Sequence, residues 1–396
     1  MITRTLEKKL RELAGYYPAV VVTGPRQSGK TTLCRMTYPD KPYVSLEAID
    51  IRDFAHTDPR GFLAEYADGA IIDEIQHVPE LLTYLQSDID ARPDPGRFIL
   101  TGSQHFGLSQ SIAQSLAGRC GILVLLPPSL EELSAFPSAP ADLFPLLRQG
   151  AYPRIYDRGI PASQWLADYT TTYVQRDVRQ VINIGDLQAF SGFLKLCAGR
   201  TAQEINLSKL GSDSGVSHNT ARSWLSVMET SYIIHRLPAW HTNIRKQVVK
   251  APKLHFFDSG LVCYLLGIRE PEQLRLHPLR GAIFESWVVS EIYKSFVHSG
   301  LQPSLFHYRE ARGPEIDLLI ERGEKLELVE IKSGATINSD FFKNLKRFSD
   351  RMKGAGKKRP LRSHVVYGGE DSQQRSDGRV LSWRHIQRLI TEYPVN

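Results

Sequence analysis

Apolar residues along this chain come in two rhythms. Short unbroken runs, "AVVVT" from Ala19, "AII" from Ala70, "FIL" from Phe98 and "GILVLL" from Gly121, predict short buried strands. Helical stretches lie between them, one beginning near Lys30 and one within "DEIQHVPELLTYLQ". Further on, Leu207, Leu210, Val216, Ala221, Leu225 and Met228 recur at helical spacing around "SGVS", with Ser217 suited to cap the second helix. That layout predicts a helix-turn-helix. "GAIFESWVVSEIYKSF" then reads as an amphipathic helix with Phe284, Val288 and Ile292 on one side, followed by three strand-like runs in "LFHYREARGPEIDLLI", "LELVEIKSG" and "SHVVYGG". A turn at Arg322 and Gly323 folds the first of these runs back onto the second.

At 396 residues the chain exceeds one ordinary core. A Pro- and Ser-rich stretch, "AFPSAPADLFP", and a second break in "GIREPEQLRLHP" divide it into residues 1–135, 136–275 and 276–396. Four scattered cysteines form no CxxC pair, which argues against a zinc site or a disulfide framework and for a reducing compartment. No signal-like or membrane-spanning run is present, so a cytoplasmic location without membrane contact is expected. The net charge of +6 leans towards polyanionic partners. More telling is its placement: from Phe341 to Arg362 nine Lys or Arg residues face one acid, Asp350, and Lys357, Lys358 and Arg359 stand together. That run is either a solvated helix face or a phosphodiester contact.

The first apolar run leads into Gly24, four residues, then Gly29, Lys30, Thr31 and Thr32, the spacing of a phosphate-binding loop. Glycines let backbone N–H groups turn towards phosphates, Lys30 reaches the outer ones and Thr31 can ligate Mg²⁺. Asp73 and Glu74 end the next buried run, where the first acid steadies Mg²⁺ and the second orients the attacking water. Thr101 and Ser103 end the third, where a terminal phosphate or its water could be sensed. ATP and Mg²⁺ are therefore the expected cofactors. In the predicted helix-turn-helix, His218, Asn219, Arg222 and Ser223 point outward, and Arg245, Lys246, Lys250 and Lys253 would furnish a basic wing, so DNA is the expected partner.

In "EIDLLIERGEKLELVEIK", Glu330 and Lys332 share a strand face and Asp317 lies beside them, with Glu285 available from the preceding helix. Such a set could hold a second Mg²⁺ or Mn²⁺, or simply form a salt-bridged hairpin.

Taken in order, "GPRQSGKTT", "AIIDE", "LTGS", "SLAGR", "KAPKLHFFDSGL", "FESWVVSEI" and "EIDLLI…VEIK" resemble bacterial and archaeal AAA-family ATPases that carry a C-terminal domain of unknown function, DUF4143. The resemblance covers nearly the whole chain. It implies an α/β fold in which a P-loop AAA+ core is followed by a helical and winged-helix region and a PD-(D/E)xK nuclease-like domain. It also implies that Arg119 reaches a neighbour's nucleotide in a homo-oligomer, a hexameric ring being one form, with Arg176 a weaker second choice. "QGAYPR" departs from the Gly-Gly-Tyr-Pro the family usually shows, with Ala151 in the second place. The function expected is ATP hydrolysis coupled to action on DNA. Two rivals stand beside it: a nucleotide-dependent scaffold whose nuclease fold is inactive, and an ATP-fuelled, metal-dependent nuclease.

Overall fold

A computed structural model describes residues 2–103, 112, 114–173, 187–241, 250–310, 313–354 and 359–391. Its first third is a five-stranded, wholly parallel sheet made from β1 (Ala19–Thr23), β2 (Tyr43–Ser45), β3 (Ala70–Asp73), β4 (Phe98–Thr101) and β5 (Cys120–Val124) in the order β2-β3-β4-β1-β5. β1, β3 and β4 are buried at every residue, which is why their sequences show no alternation. Between them run α1 (Leu6–Ala14), α2 (Lys30–Thr37), α3 (Ile49–Thr57), α4 (Pro59–Glu65) and α5 (Leu81–Ala91). Two cores result, one on each face: Val20, Val22, Ile71 and Ile99 meet α1 and α2, while Val21, Ile72 and Leu100 meet α4 and α5.

The middle segment is mainly helical: α6 (Leu130–Leu133), α7 (Leu143–Gln149), α8 (Pro153–Asp157), α9 (Ala162–Tyr173), α10 (Leu187–Ala198), then β6 (Gln203–Glu204), α11 (Leu207–Asp213), α12 (His218–Thr230), β7 (Ile234–Leu237), β8 (Lys253–Phe256), α13 (Ser259–Leu265) and α14 (Pro271–Leu276). β8 is the centre of an antiparallel sheet in the order β6-β8-β7. α11 and α12 pack as the spacing predicts, and the Ser217 hydroxyl accepts a 3.1 Å hydrogen bond from the Thr220 N–H at the start of α12. The buried face of α12 also includes Trp224, whose ring stands edge-on to Phe190 and Phe193 of α10 at 5.3 and 5.2 Å.

The last segment opens with α15 (Arg280–His298) and continues through β9 (Leu305–Arg309), β10 (Glu315–Arg322), β11 (Lys325–Lys332), α16 (Lys343–Gly354), β12 (Leu361–Tyr367), β13 (Gln373–Arg375), β14 (Gly378–Ser382) and α17 (Arg388–Thr391). The sheet order is β13-β14-β12-β11-β10-β9, antiparallel from β9 to β11 and parallel from β11 through β12 to β14. The β10–β11 turn lies one residue beyond the expected place, since Arg322 still pairs with Lys325 across it. α15 covers one face of this sheet through Val329 and Ile331, and α16 the other through Leu326 and Leu328.

α15 is not the amphipathic surface helix the sequence suggests. Ser286, Ser290, Glu291, Lys294 and His298 are as buried as Phe284, Val288 and Ile292. The polar groups are satisfied by other segments: the Ser290 hydroxyl donates to the Phe257 carbonyl, Glu291 accepts from the Leu130 N–H at 2.7 Å, Lys294 donates to the Pro128 carbonyl, and the His298 ring meets the Leu126 N–H. One apolar core consequently runs from α6 through α15 into the C-terminal sheet.

Candidate functional site: a phosphate cradle and a self-neutralised acid cluster

β1 ends at the phosphate loop, which must pass close to the neighbouring strand. A Cβ on Gly24 would sit 2.2 Å from the Leu125 carbonyl oxygen, and its φ of +143° suits glycine alone. Gly29 stands at the head of α2, and Lys30 bends back to donate to the carbonyls of Gly24 and Pro25 at 3.1 and 2.9 Å. Behind this loop, Asp73 gathers three hydroxyls. Thr31 donates to one carboxylate oxygen at 2.8 Å, Thr101 donates to the same oxygen, and Tyr43 donates to the other at 2.9 Å. Burial, then Asp73 itself, pushes the Tyr43 hydroxyl up to about 12, so it remains a donor. Glu74 takes a left-handed conformation with φ +58°, its N–H donating to Thr101, and its carboxylate accepts from the Gln76 amide. Ser103 is buried and its hydroxyl has no hydrogen-bond partner among the described residues.

The loop and Glu74 border a cavity of about 600 Å³, within the range of small-ligand sites. Lys30, Thr31, Thr32 and Glu74 line it on one side, while Arg154 and Arg158 line it from α8 and the residue after it. Nothing in the sequence alone marked those two arginines, because they stand far along the chain from the loop. Their helix is held by Asp258, the cap of α13, which accepts from the N–H groups of Ala151 and Leu261 at 2.6 and 2.7 Å. Gly150 is forced there: a Cβ would lie 2.5 Å from the Asp258 carboxylate at a φ of +77°. The motifs "QGAYPR" and "FFDSGL" thus form one joint. Ala151 serves it through its backbone, so the departure at that place leaves the joint intact.

Arg4 also went unremarked. Its guanidinium donates to the Ser28 carbonyl in the phosphate loop at 2.9 Å and to the Leu126 carbonyl at 2.7 Å, and pairs with Glu132 at 3.0 Å. Burial opposes the Glu132 charge, but Arg4 and His298 outweigh it and bring the carboxyl down to about 2. The loop carbonyl, Arg4, Glu132 and His298 of α15 are therefore one chain of contacts.

Arg119 stands immediately before β5, and the parallel register of Ala19 with Cys120 puts it at the end of the strands opposite the phosphate loop. A five-residue strand spans roughly 16 Å, so Arg119 cannot serve its own cradle. It forms a two-point pair with Asp90 of α5 at 2.6 and 2.9 Å. Arg176 lies outside the described residues.

In the last segment, Glu285, Glu315, Asp317 and Glu330 come together with two lysines. Lys332 sits 2.6 Å from Glu330 and 4.0 Å from Asp317. The register between β9 and β10 slips between Ile316 and Leu319, a bulge at the position of Asp317, whose carboxylate accepts from the Ile331 N–H at 2.8 Å. The second lysine is Lys253, and here the expectation of a solvated wing residue fails. It is buried in β8, 2.9 Å from Glu285 and 3.1 Å from Glu315, because β8 is central to its small sheet and turns this side chain inward. Burial and then Asp317 push Glu285 up to about 8 and Glu330 up to about 7. Burial works against the Lys253 and Lys332 charges, yet the surrounding carboxylates hold both above the ordinary lysine value. Glu330 shares its strand parity with Leu326 and Leu328, on the α16 face, whereas Glu285 comes from α15 on the other. Among the described residues no three Asp, Glu, His or Cys side chains are gathered to hold a metal ion.

Asn219, Arg222 and Ser223 are exposed on α12 and His218 is half-buried there. Arg245, Lys246, Lys357 and Lys358 lie outside the described residues. The rest of the basic run is largely engaged locally: Lys346 with Asp377 at 2.7 Å, Arg351 with Glu310 and Arg359 with Glu321 each at 2.6 Å. Arg359 also donates to the carbonyls of Gly323 and Glu324. Among the described residues no helix is long and apolar enough to cross a membrane.

The comparisons place this architecture in a class. Residues 16–134 match the AAA domain, residues 141–272 the domain of unknown function DUF8612, and residues 280–386 the domain of unknown function DUF4143. The chain thus carries an AAA-type ATPase domain ahead of a C-terminal DUF4143 region. It is 29% identical over 336 residues to the uncharacterized proteins Mb2031c of Mycobacterium bovis and Rv2008c of Mycobacterium tuberculosis, spanning 84% of this chain and 74% of each relative. Among solved structures, the Walker-type ATPase paby2304 of Pyrococcus abyssi aligns at 17% identity and a TM-score of 0.42, covering 66% of this chain and 94% of that one. AMPPCP-bound DnaA of Aquifex aeolicus aligns at 14% and 0.31, covering 57% and 85%.

Proposed function

We propose that this protein is a Mg-dependent ATP hydrolase that works as a homo-oligomer and acts on DNA. The observation that carries the reading is the Thr31–Asp73–Thr101 cluster behind a P-loop lysine, with Lys30 and Thr31 lining a cavity of about 600 Å³. The donor set fits the missing group: a threonine hydroxyl and a carboxylate for Mg²⁺, loop N–H groups and Lys30 for phosphates, and an orphaned Ser103 hydroxyl at the end of β4. Bound Mg-ATP supplies the reacting phosphoryl group and the counter-charge on it. Thr31 and Asp73 hold the metal, with Tyr43 fixing the carboxylate. Lys30 exchanges its loop carbonyls for phosphate oxygens. Glu74 would orient the water that attacks, Ser103 would report the terminal phosphate, and Arg154 and Arg158 face the cavity from α8 and the residue after it.

Arg119 is assigned to a neighbouring copy's site, since its own cradle lies at the other end of the strands. Its exposed pairing with Asp90 is the kind of surface bridge that is easily exchanged. A closed ring, hexameric if it follows the family, satisfies that geometry. DNA contact is assigned to Asn219 and Arg222 on α12, with Lys357, Lys358 and Arg359 contributing phosphate contacts.

The test is ATP turnover with and without single-stranded, duplex and branched DNA. Stimulation that weakens steeply with salt supports the reading. Turnover and binding indifferent to all three DNAs would leave the scaffold reading, which the inward pairing of Arg359 and Lys253 favours. Metal-dependent strand cleavage would instead favour the ATP-fuelled nuclease. Oligomeric catalysis is read by mixing Arg119→Ala with Lys30→Ala subunits: recovered activity means that one supplies a site and the other the arginine.

A further inference from the structure

The nuclease-like reading expects a helix acid, Asp317, Glu330 and Lys332 in one cluster, and Glu285, Asp317, Glu330 and Lys332 lie close together with Glu315. What the sequence could not show is that a lysine from another segment is already among them. Lys253 extends from β8 of the middle segment until its ammonium lies 2.9 Å from Glu285 and 3.1 Å from Glu315, with only 3% of the side chain exposed. Asp317 contributes to its field, and Arg309 approaches Glu315 from outside at 3.8 Å. His255 and His307, also within reach of the Lys253 charge, are held neutral by burial and so add no competing cation. On the far side Lys332 neutralises Glu330 and Asp317, yet one oxygen of the buried Glu330 carboxylate has no hydrogen-bond partner among the described residues. The cluster therefore retains unspent acceptor capacity while its charge is offset from within.

We propose that the Lys253 ammonium stands where a divalent cation would sit and keeps the nuclease-like site metal-free, so that the site is silenced by β8 and not by loss of its acids. The inference rests on reading the cluster as a nuclease-like site. Two unit charges of opposite sign at these separations in a buried setting exclude a further cation unless one carboxylate is released. β8 also carries the sheet that follows α12 directly, so a displacement of the helix-turn-helix is transmitted to the strand that bears the lysine.

Free Mn²⁺ is counted by electron paramagnetic resonance with the nucleotide-free full chain in an Asp73→Asn background, which removes the carboxylate of the ATP site. At about 1 mM Mn²⁺, a level that fills weak oxygen-ligand sites, the chain with native Lys253 retains none. Lys253→Gln, which keeps an N–H donor for Glu285 but no charge, retains one ion per chain, binding at least about tenfold tighter. Adding Asp317→Asn removes it again. Retention by the native-lysine chain equal to that of Lys253→Gln overturns the proposal and leaves the nuclease-like reading standing. No retention by either folded protein overturns both. If Lys253→Gln does not fold, the ¹⁵N resonance of the Lys253 ammonium, assigned by its loss in Lys253→Arg, decides the matter: it stays sharp as Mn²⁺ is added, and broadening means that metal enters beside the lysine and overturns the proposal.

Discussion

The phosphate cradle and the acid cluster use the same materials, a lysine and carboxylates at the ends of buried strands, and put them in opposite states. In the cradle, Lys30 donates to two backbone carbonyls and Asp73 accepts from three neutral hydroxyls. In the cluster, Lys253 and Lys332 each face two carboxylates. A site that waits for a charged ligand keeps its charges on neutral groups that are cheap to exchange. One that spends them on each other is a joint.

The largest effect should separate the two lysines. Lys30→Ala is expected to weaken ATP binding by at least about 100-fold, as loss of a charge-assisted phosphate contact in a sheltered site implies. Lys332→Ala should leave ATP affinity unchanged and appear only in thermal stability. Fluorescent-nucleotide titration of both variants checks this, and a Lys332→Ala chain that loses nucleotide would break the comparison. Next, Glu74→Gln should keep the nucleotide but slow hydrolysis by roughly 10²–10³-fold, since it removes a group that acts on the attacking water. Single-turnover kinetics reads it directly.

The pH dependence sharpens the contrast further. Glu285 and Glu330 have folded values of about 8 and about 7, above the ordinary 4.5, so between about pH 6.5, above which the buried neutral histidines His235, His255, His298 and His307 no longer oppose them, and about pH 8 these two carboxyls hold protons that the unfolded chain has lost. Stability should therefore fall as pH rises through that window, and Glu285→Gln should flatten the slope. Chemical denaturation at several pH values tests the sign. The smallest effect is expected from Tyr43→Phe, which removes one of three donors to Asp73 and should cost about 1 kcal/mol or less of stability, with a modest rise in the KM for ATP. A large loss of turnover there would mean that the tyrosine does more than hold the carboxylate.

Much of the cradle was legible because its chemistry is local: Gly24 to Thr32 is one loop, and Asp73 and Ser103 each end an apolar run. β2 escaped notice since three residues, Tyr43 to Ser45, carry no periodicity, and with it went the third hydroxyl on Asp73. Arg4, Arg154 and Arg158 look like any exposed cation until the tertiary fold brings them to the loop. The helix Arg280–His298 misled because serine, glutamate and lysine normally face water, and only the segments at residues 126–130 and 256–257 explain their burial. Lys253 was misplaced for the same reason. Its partners Glu285 and Glu315 come from two other elements, and a basic residue after a helix-turn-helix reads more simply as a wing.

The contacts of α15 with the segment after β5 also set a timetable for synthesis. The N–H groups of Leu126 and Leu130 find His298 and Glu291 only after the ribosome has added a further 172 and 161 residues. Domains usually fold as they emerge, N-terminal first. Here the emerging ATPase sheet must wait, with donors and apolar surface uncovered, for a helix made more than a hundred residues later. A chain stalled or cut before residue 280 would leave those donors and that apolar seam uncovered, although its nucleotide loop has already been made.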